Sequence, residues 1–385
     1  MVRYGSSAST DEQLPDYYFS NKYKEEDMLN STLAVALRRT DKLKAKPDWN
    51  NLGFGRHFTD HMFVMRWTGG KGWHDAEIRP YGPFSLDPAA MVLHYSQEIF
   101  EGLKAYHGAD GSLLLFRPLD NLNRLNRSAA RMCMPEIPAE EVLDALKQMI
   151  VLDRGWVPQA PGASLYIRPA MIATEAAVGL HPSNEYLFFI ICCPVGAYYA
   201  EGFKPTKMYV EDRYVRAAAG GVGEAKTGGN YAASLKAFAD AKARGCTQVL
   251  WLDAAERKYV EEVGTSNIFF VLNGELVTPP LGGTILPGIT RDTVLKLAAD
   301  WGIRAAERRI SMDEIMAAAA DGSLSEAFGS GTAAVISPVG EFIYKDKTIQ
   351  IGGGRTGPVA QRFFDGIQQL QRGQLPDTRG WLVRA

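Results

Sequence analysis

The chain has 385 residues, 46% of them hydrophobic and 22% charged, with a formal net charge of −2. That length asks for more than one small core, so two domains are expected. The near-neutral balance excludes a general attraction to nucleic acid or acidic membranes, and no apolar run reaches the about 20 residues that cross a bilayer.

Residues 1–50 are polar and charged and read as an arm, partly disordered or draped over the body, with a short helix near 25–37. The start of the chain has no apolar core that could serve as a signal peptide, so a cytoplasmic location is expected. Short strands are expected at 61–67, 113–116, 164–169 and 186–193, with helices at 121–133 and 140–151 between them. A change to Gly, Tyr, Ala and Pro around 195–207 marks a linker, dividing an α/β domain at 51–194 from a second at 208–385. Beyond it come a helix at 232–243 ended by Gly245, and a buried strand at 247–252. A hairpin follows at 268–278, where Asn273-Gly274 supplies two positive-φ positions. A helix after Arg291, a capping box Ser311-Met-Asp-Glu314 and a last helix through Phe363 and Leu370 complete the chain. The whole reads as an α/β or α+β protein.

Four cysteines (Cys133, Cys192, Cys193, Cys246) have no C-x-x-C spacing, so they read as buried small apolar residues rather than a zinc site or disulfide framework. His57 and His61 have i, i+4 spacing, but their surroundings alternate like a strand, so no metal is expected there. Gly352-Gly-Gly-Arg-Thr-Gly357 reads as a surface turn.

The most informative segment is Gly220-Gly-Val-Gly-Glu-Ala-Lys-Thr-Gly-Gly-Asn-Tyr231, in which Lys226 sits among five glycines. A lysine held in such a bend either grips phosphate or forms a Schiff base with an aldehyde. The phosphate-loop pattern of a nucleotide hydrolase needs a glycine where Ala225 stands and a buried strand where Arg213-Tyr-Val-Arg-Ala-Ala-Ala219 stands, so it takes second place. In Leu286-Pro-Gly-Ile-Thr-Arg291, Pro287 and Gly288 end a strand before a helix. The N–H groups of Ile289 and Thr290 are then free to face an anion.

Together with LHYSQEIFEGLKAY, NLNRLNRSAAR, SLYIRP, EVGTSNIFF, ILPGITR and FGSGTAAVISP, taken in order from Leu93 to Pro338, the lysine segment resembles the branched-chain aminotransferases. These are class IV, fold type IV pyridoxal 5′-phosphate enzymes. The resemblance implies two α/β domains with the cofactor at their interface. It implies reversible amino transfer from leucine, isoleucine or valine to 2-oxoglutarate, by a ping-pong course. It implies Lys226 as the catalytic amine, Glu262 (rather than neighbouring Glu261) at the pyridine nitrogen and Tyr231 at the ring hydroxyl. Arg124, Ile289, Thr290 and Thr332 would take the phosphate, with Thr265 also lining the site. Tyr95, Phe100 and Tyr166 would wall the substrate pocket, Arg168 would meet a second carboxylate, and the Thr332-Ala333 turn would receive the α-carboxylate. Tyr95 would arrive from the neighbouring subunit of a homodimer. Some members carry a thiol pair after the Gly-Thr-Ala turn; Ala334 and Ser337 stand there, so that redox switch is expected to be missing. A D-amino-acid aminotransferase or aminodeoxychorismate lyase of the same fold type is the alternative.

Overall fold

A computed structural model describes residues 33–160, 162–196 and 203–385. Most of the expected N-terminal arm, most of its helix and part of the expected linker lie outside them. From Ala34 onward the chain forms one compact unit.

Two nine-stranded sheets organise it. The first holds β1 (Ala36–Leu37), β2 (His61–Thr68), β3 (Gly72–Pro80), β4 (Glu98–Phe100), β5 (Leu103–His107), β6 (Leu113–Phe116), β7 (Ser164–Ala173) and β8 (Glu185–Val195). The second holds β9 (Thr206–Glu211), β10 (Gln248–Leu252), β11 (Val260–Val263), β12 (Ser266–Leu272), β13 (Glu275–Thr278), β14 (Ala305–Glu307), β15 (Leu324–Gly331), β16 (Val335–Tyr344) and β17 (Lys347–Gln350). The last strand, β18 (Leu382–Arg384), returns to pair with β6 of the first sheet. In the second sheet β11 pairs with both β10 and β12, so strands β11-β10-β9-β16-β15-β12 close on themselves and leave no open edge. Apolar side chains fill that ring: Val210, Leu250, Ile268, Phe270 and Phe342 pack with Met312 and Ile315 of a covering helix.

The helices are α1 (Met91–Tyr95), α2 (Pro118–Arg131), α3 (Ala139–Leu152), α4 (Gly228–Ala232), α5 (Leu235–Ala243), α6 (Ile289–Asp300), α7 (Met312–Asp321) and α8 (Pro358–Gln371). A second core joins the two sheets, with Tyr106 and Phe116 of the first packed among Phe269, Phe328, Val294 and Phe363 of the second sheet and its helices.

Several expectations change in detail. Ala36 and Leu37 pair in parallel with β3 instead of ending a helix, because the edge of the first sheet offers them backbone partners. Further along, Lys44 N–H donates to Asp60 and Thr40 N–H to His61, so this stretch is draped over the body. Helix α2 stops at Arg131, since Cys133 takes the left-handed conformation (φ 54°) that glycine usually fills after a helix. That leaves Cys133 exposed, against the buried role expected of it, while the other three cysteines are buried. The helix expected at 232–243 is two pieces, because Ser234 Oγ donates to the Tyr231 carbonyl at 2.6 Å and competes with the ladder at their junction. The capping box is half formed: Ser311 Oγ accepts from Glu314 N–H, but the Glu314 carboxylate goes to Arg308. The Asn273-Gly274 hairpin has its two positive φ angles, 50° and 75°. His61 lies in β2 with Nδ1 2.7 Å from Asp153, and among the described residues no His, Cys and carboxylate cluster could hold a metal ion. No described helix is long and apolar enough to cross a membrane.

Candidate active site

Lys226 lies on the loop between β9 and α4, and its backbone is fixed by the first sheet's side. Its N–H donates to Ser128 Oγ at the end of α2, and its carbonyl accepts from Phe100 N–H in β4. Thr227 Oγ1 donates to the Glu98 carbonyl, and Asn230 Nδ2 ties the loop across to the carbonyls of Val222 and Ala225. The glycines serve two purposes here. Gly220 turns through φ 77°, while a side chain at Gly223 would begin 2.5 Å from the Thr284 carbonyl oxygen. Residues 213–219 form no strand, which removes the frame that a phosphate loop needs.

The Lys226 side chain enters an open cleft bordered by both sheets. A concave site with a few convergent polar groups suits a small molecule. The amine donates to Tyr231 Oη at 2.8 Å and lies 5.0 Å from the centre of the Phe100 ring. Glu262 faces it from β11, 2% exposed, with Oε1 accepting from Leu286 N–H at 2.7 Å and Oε2 2.8 Å from Arg216 Nε. Burial raises the Glu262 pKa above the ordinary carboxylate value; Arg216, the Leu286 N–H and Lys226 pull the other way. Glu261 is directed elsewhere and accepts from Thr284 Oγ1. It too is buried, since residues 284–286 cover this stretch of β11.

At the far end, Gly288 caps α6 in extended conformation, and the cleft is lined by Ile289, Thr290, Thr332, Ala333 and Thr265. A side chain at Gly288 would begin 2.0 Å from Asn267 Oδ1, so any larger residue would displace that amide from its bond to the Leu286 carbonyl. Arg124 lines the cleft, 3% exposed, and not on a solvated helix face. Its Nε and Nη2 are taken by Glu101 at 2.7 and 2.9 Å, and Nη1 donates to the Pro287 carbonyl. Phe100, Tyr166 and Arg168 form the opposite wall. Arg168 lies over the Phe100 and Tyr166 rings, at 4.6 and 5.3 Å, and donates to Tyr166 Oη. Its Nε is buried and, among the described residues, has no partner.

Of the residues singled out from sequence, Tyr95 alone stands outside this cleft. It ends α1, 37% exposed, with its hydroxyl donating to the Val178 carbonyl. Sequence reasoning missed Arg216, Glu101, Asn267 and Phe54, which meets Tyr166 edge-on at 4.9 Å. Glu101 and Asn267 stood inside quoted motifs; Arg216, ten residues before the lysine in the run Arg213–Ala219, carried no signal of its own.

The family described as "Amino-transferase class IV" matches residues 98–342. Branched-chain-amino-acid aminotransferase 2 of Bacillus subtilis (strain 168) is 54% identical over 354 residues, covering 92% of this chain and 97% of that one. The chain belongs to the class IV amino-transferases, among their branched-chain aminotransferases. It is a pyridoxal-phosphate-dependent transaminase of fold type IV, as the family implies. Among solved structures it is similar to the branched-chain amino acid aminotransferase of Escherichia coli, with a TM-score of 0.69 and 30% identity over 83% of this chain and 98% of that one. It is also similar to the T.th. branched-chain amino acid aminotransferase complexed with N-(5′-phosphopyridoxyl)-L-glutamate, with a TM-score of 0.67 and 29% identity over 83% and 97%.

Proposed function

We propose that this transaminase exchanges the amino group of leucine, isoleucine or valine with 2-oxoglutarate, in two half-reactions at the one cleft. The observation that carries the reading is the meeting, in that cleft, of the Lys226 amine, the buried Glu262 carboxylate and the uncapped first turn of α6. Pyridoxal phosphate fits this donor set: an amine for its aldehyde, a desolvated carboxylate for its ring nitrogen, and backbone N–H groups of Ile289 and Thr290 for its phosphate. Thr332 and Arg124 border the phosphate end, where Glu101 holds the guanidinium in place. Bound there, the cofactor supplies an electron sink for the bond that breaks at the substrate α-carbon.

The remaining work falls to the chain's own groups. Lys226 Nζ takes the proton from the substrate α-carbon, held in register by Tyr231 Oη at 2.8 Å. Glu262 holds a proton on the ring nitrogen; its orientation is set beforehand by Arg216 and Leu286 N–H, so the carboxylate does not reorganise during the reaction. The Thr332-Ala333 turn takes the α-carboxylate. Phe100 and Tyr166 face the aliphatic side chain, with Thr265 beside them. Arg168 receives the second carboxylate of glutamate or 2-oxoglutarate, with its Nε unpaired and its positive charge resting on two aromatic faces. The relative bound to a phosphopyridoxyl-glutamate conjugate supports this part of the reading.

The proposal includes a homodimer in which Tyr95 serves the neighbouring subunit. In support, Tyr95 has Leu93, Val178 and Leu180 near it in sequence or bonding, all exposed on this chain. It retains the division into domains at 51–194 and 208–385, supported by the segregation of strands into two sheets, although β18 crosses back to the first. A cytoplasmic location completes it, which four unpaired cysteines suit.

Borohydride reduction of the holoenzyme followed by peptide mass spectrometry tests the site: the pyridoxyl label should sit on Lys226. A label on Lys236 or Lys207 would overturn it. Mixing Lys226→Ala with Tyr95→Ala protein should restore activity through hybrid dimers. No recovery after proven subunit exchange would return Tyr95 to its own chain.

A further inference from the structure

Behind the substrate turn lies a second, partly open cavity, with about 90 Å³ of room for solvent, that the reaction does not use. It shares the 333–334 backbone with the cleft but is otherwise lined by different residues, including Lys104, Ser164, Gln368 and Arg372. Two cations therefore face one space, and among the described residues no carboxylate lines it. Lys104 is 7% exposed, and its Nζ donates to the Ala333 carbonyl at 2.7 Å. Arg372 donates to the Ala163 carbonyl and lies 5.7 Å from the centre of the Tyr106 ring. Burial lowers the Lys104 pKa to about 8, and the nearby Arg372 charge acts in the same direction. Ser164 is 1% exposed and lines this space, yet among the described residues its hydroxyl has no hydrogen-bond partner. A buried hydroxyl left without a partner costs free energy, as do two like charges without a counter-ion, and one anion would relieve both. The amides of Gln368 and Gln371 add polar groups to the lining, and Phe203, Ile336 and Phe364 give it an apolar side.

The geometry points to a second ligand site here, for a small monocarboxylate with an apolar body, whose occupancy is coupled to the substrate turn. The carboxylate sits between Lys104, Arg372 and Ser164 Oγ, and the apolar body lies against Phe203 and Phe364. Coupling runs through the Lys104 ammonium, for which the ligand competes with the Ala333 carbonyl. That grip matters because Val335, at the end of the same turn, holds φ 64°, a left-handed conformation that a β-branched residue adopts only when its surroundings enforce it. A ligand that draws Lys104 away lets the turn relax and weakens substrate binding, and by reciprocity substrate weakens the ligand. Only this kinetic coupling rests on the proposed amino transfer; the binding itself does not.

The test is calorimetric titration of holoenzyme with 3-phenylpropionate, its uncharged amide, and 4-methyl-2-oxopentanoate. The acid should bind and the amide should not. Arg372→Met should weaken the acid about tenfold or more, the usual cost of a lost charged contact. Gln368→Phe should abolish binding by filling the cavity, and Arg168→Met, at the cleft, should leave it unchanged. In assays the acid should raise the KM for leucine to a plateau rather than without limit. 4-Methyl-2-oxopentanoate, the reaction's own oxo acid, should bind at two sites per chain, one of them lost in Gln368→Phe; a single site unaffected by Gln368→Phe would overturn the proposal. Binding kept in both Arg372→Met and Gln368→Phe would overturn the proposal, as would equal binding of the amide. Binding of the acid with no change in KM would overturn the coupling.

Discussion

On the first sheet's side of the cleft, Arg168 rests on the Phe100 and Tyr166 rings, and among the described residues it has no ion-pair partner. On the second sheet's side, Glu262 has both oxygens engaged by Arg216 and Leu286 N–H. A cation held by aromatic faces keeps donors free for a visiting carboxylate, and it can release that carboxylate again. A buried carboxylate paired in advance does not move. The difference suits a site that must hold one group through every turnover while admitting two unlike substrates by turns. Under the proposed function, the adaptable wall reads substrates and the fixed wall grips the cofactor.

Breaking the fixed side should cost most. Lys226→Ala should lower kcat by roughly 10²–10⁴-fold or more, the range over which a positioned proton-transfer group contributes, as followed by single-turnover kinetics. Glu262→Gln should lower kcat by about one to two decades, with cofactor still bound, whereas Glu261→Gln should change it little. The reverse order would mean that the wrong carboxylate had been placed at the ring. Arg168→Met sharpens the comparison from the other side. It should raise the KM for 2-oxoglutarate about tenfold or more and that for leucine by a far smaller factor. Equal changes for both would erase the division of labour between the walls.

The smallest effect lies outside the cleft lining, where Asp60 accepts from Trp156 Nε1, Lys44 N–H and Lys46 Nζ and so ties the 40–46 stretch to the first sheet. Burial pushes the Asp60 pKa up, but those donors outweigh it and hold the carboxyl below its ordinary value. The contribution to stability is therefore present above the unfolded-state pKa and is lost as pH falls through the lower folded value. Asp60→Asn should cost roughly 1–3 kcal/mol at neutral pH and flatten the acid limb of a stability–pH profile, with catalysis unaltered. A profile unchanged in shape would show that the arm is held by something else.

Local pattern carried far. Asn273-Gly274 foretold a hairpin because two positive φ angles are a property of those two residues. Pro287-Gly288 foretold the uncapped start of α6, and the five glycines around Lys226 foretold close packing. The ordered motifs, read as a resemblance, pointed to the family that the comparisons establish. What failed was of two kinds. Helix ends such as Arg131 and the break near Ser234 turned on single left-handed or side-chain-bonded residues that composition does not mark.

The larger omissions were pairings between groups distant along the chain. Sequence alone determined which residue types were available: an amine in a glycine-rich loop, two adjacent glutamates, arginines beside aromatics. Tertiary structure decided which of them face one another. Adjacent residues on a strand point to opposite sides, so Glu262 meets the cleft and Glu261 does not only because β11 lies in one register between β10 and β12. Arg216 reaches Glu262, and Glu101 reaches Arg124, across 46 and 23 positions respectively. Such contacts are set by how the sheets close and pack, and burial gives them their strength, so the electrostatics of the site belongs to the fold rather than to any motif.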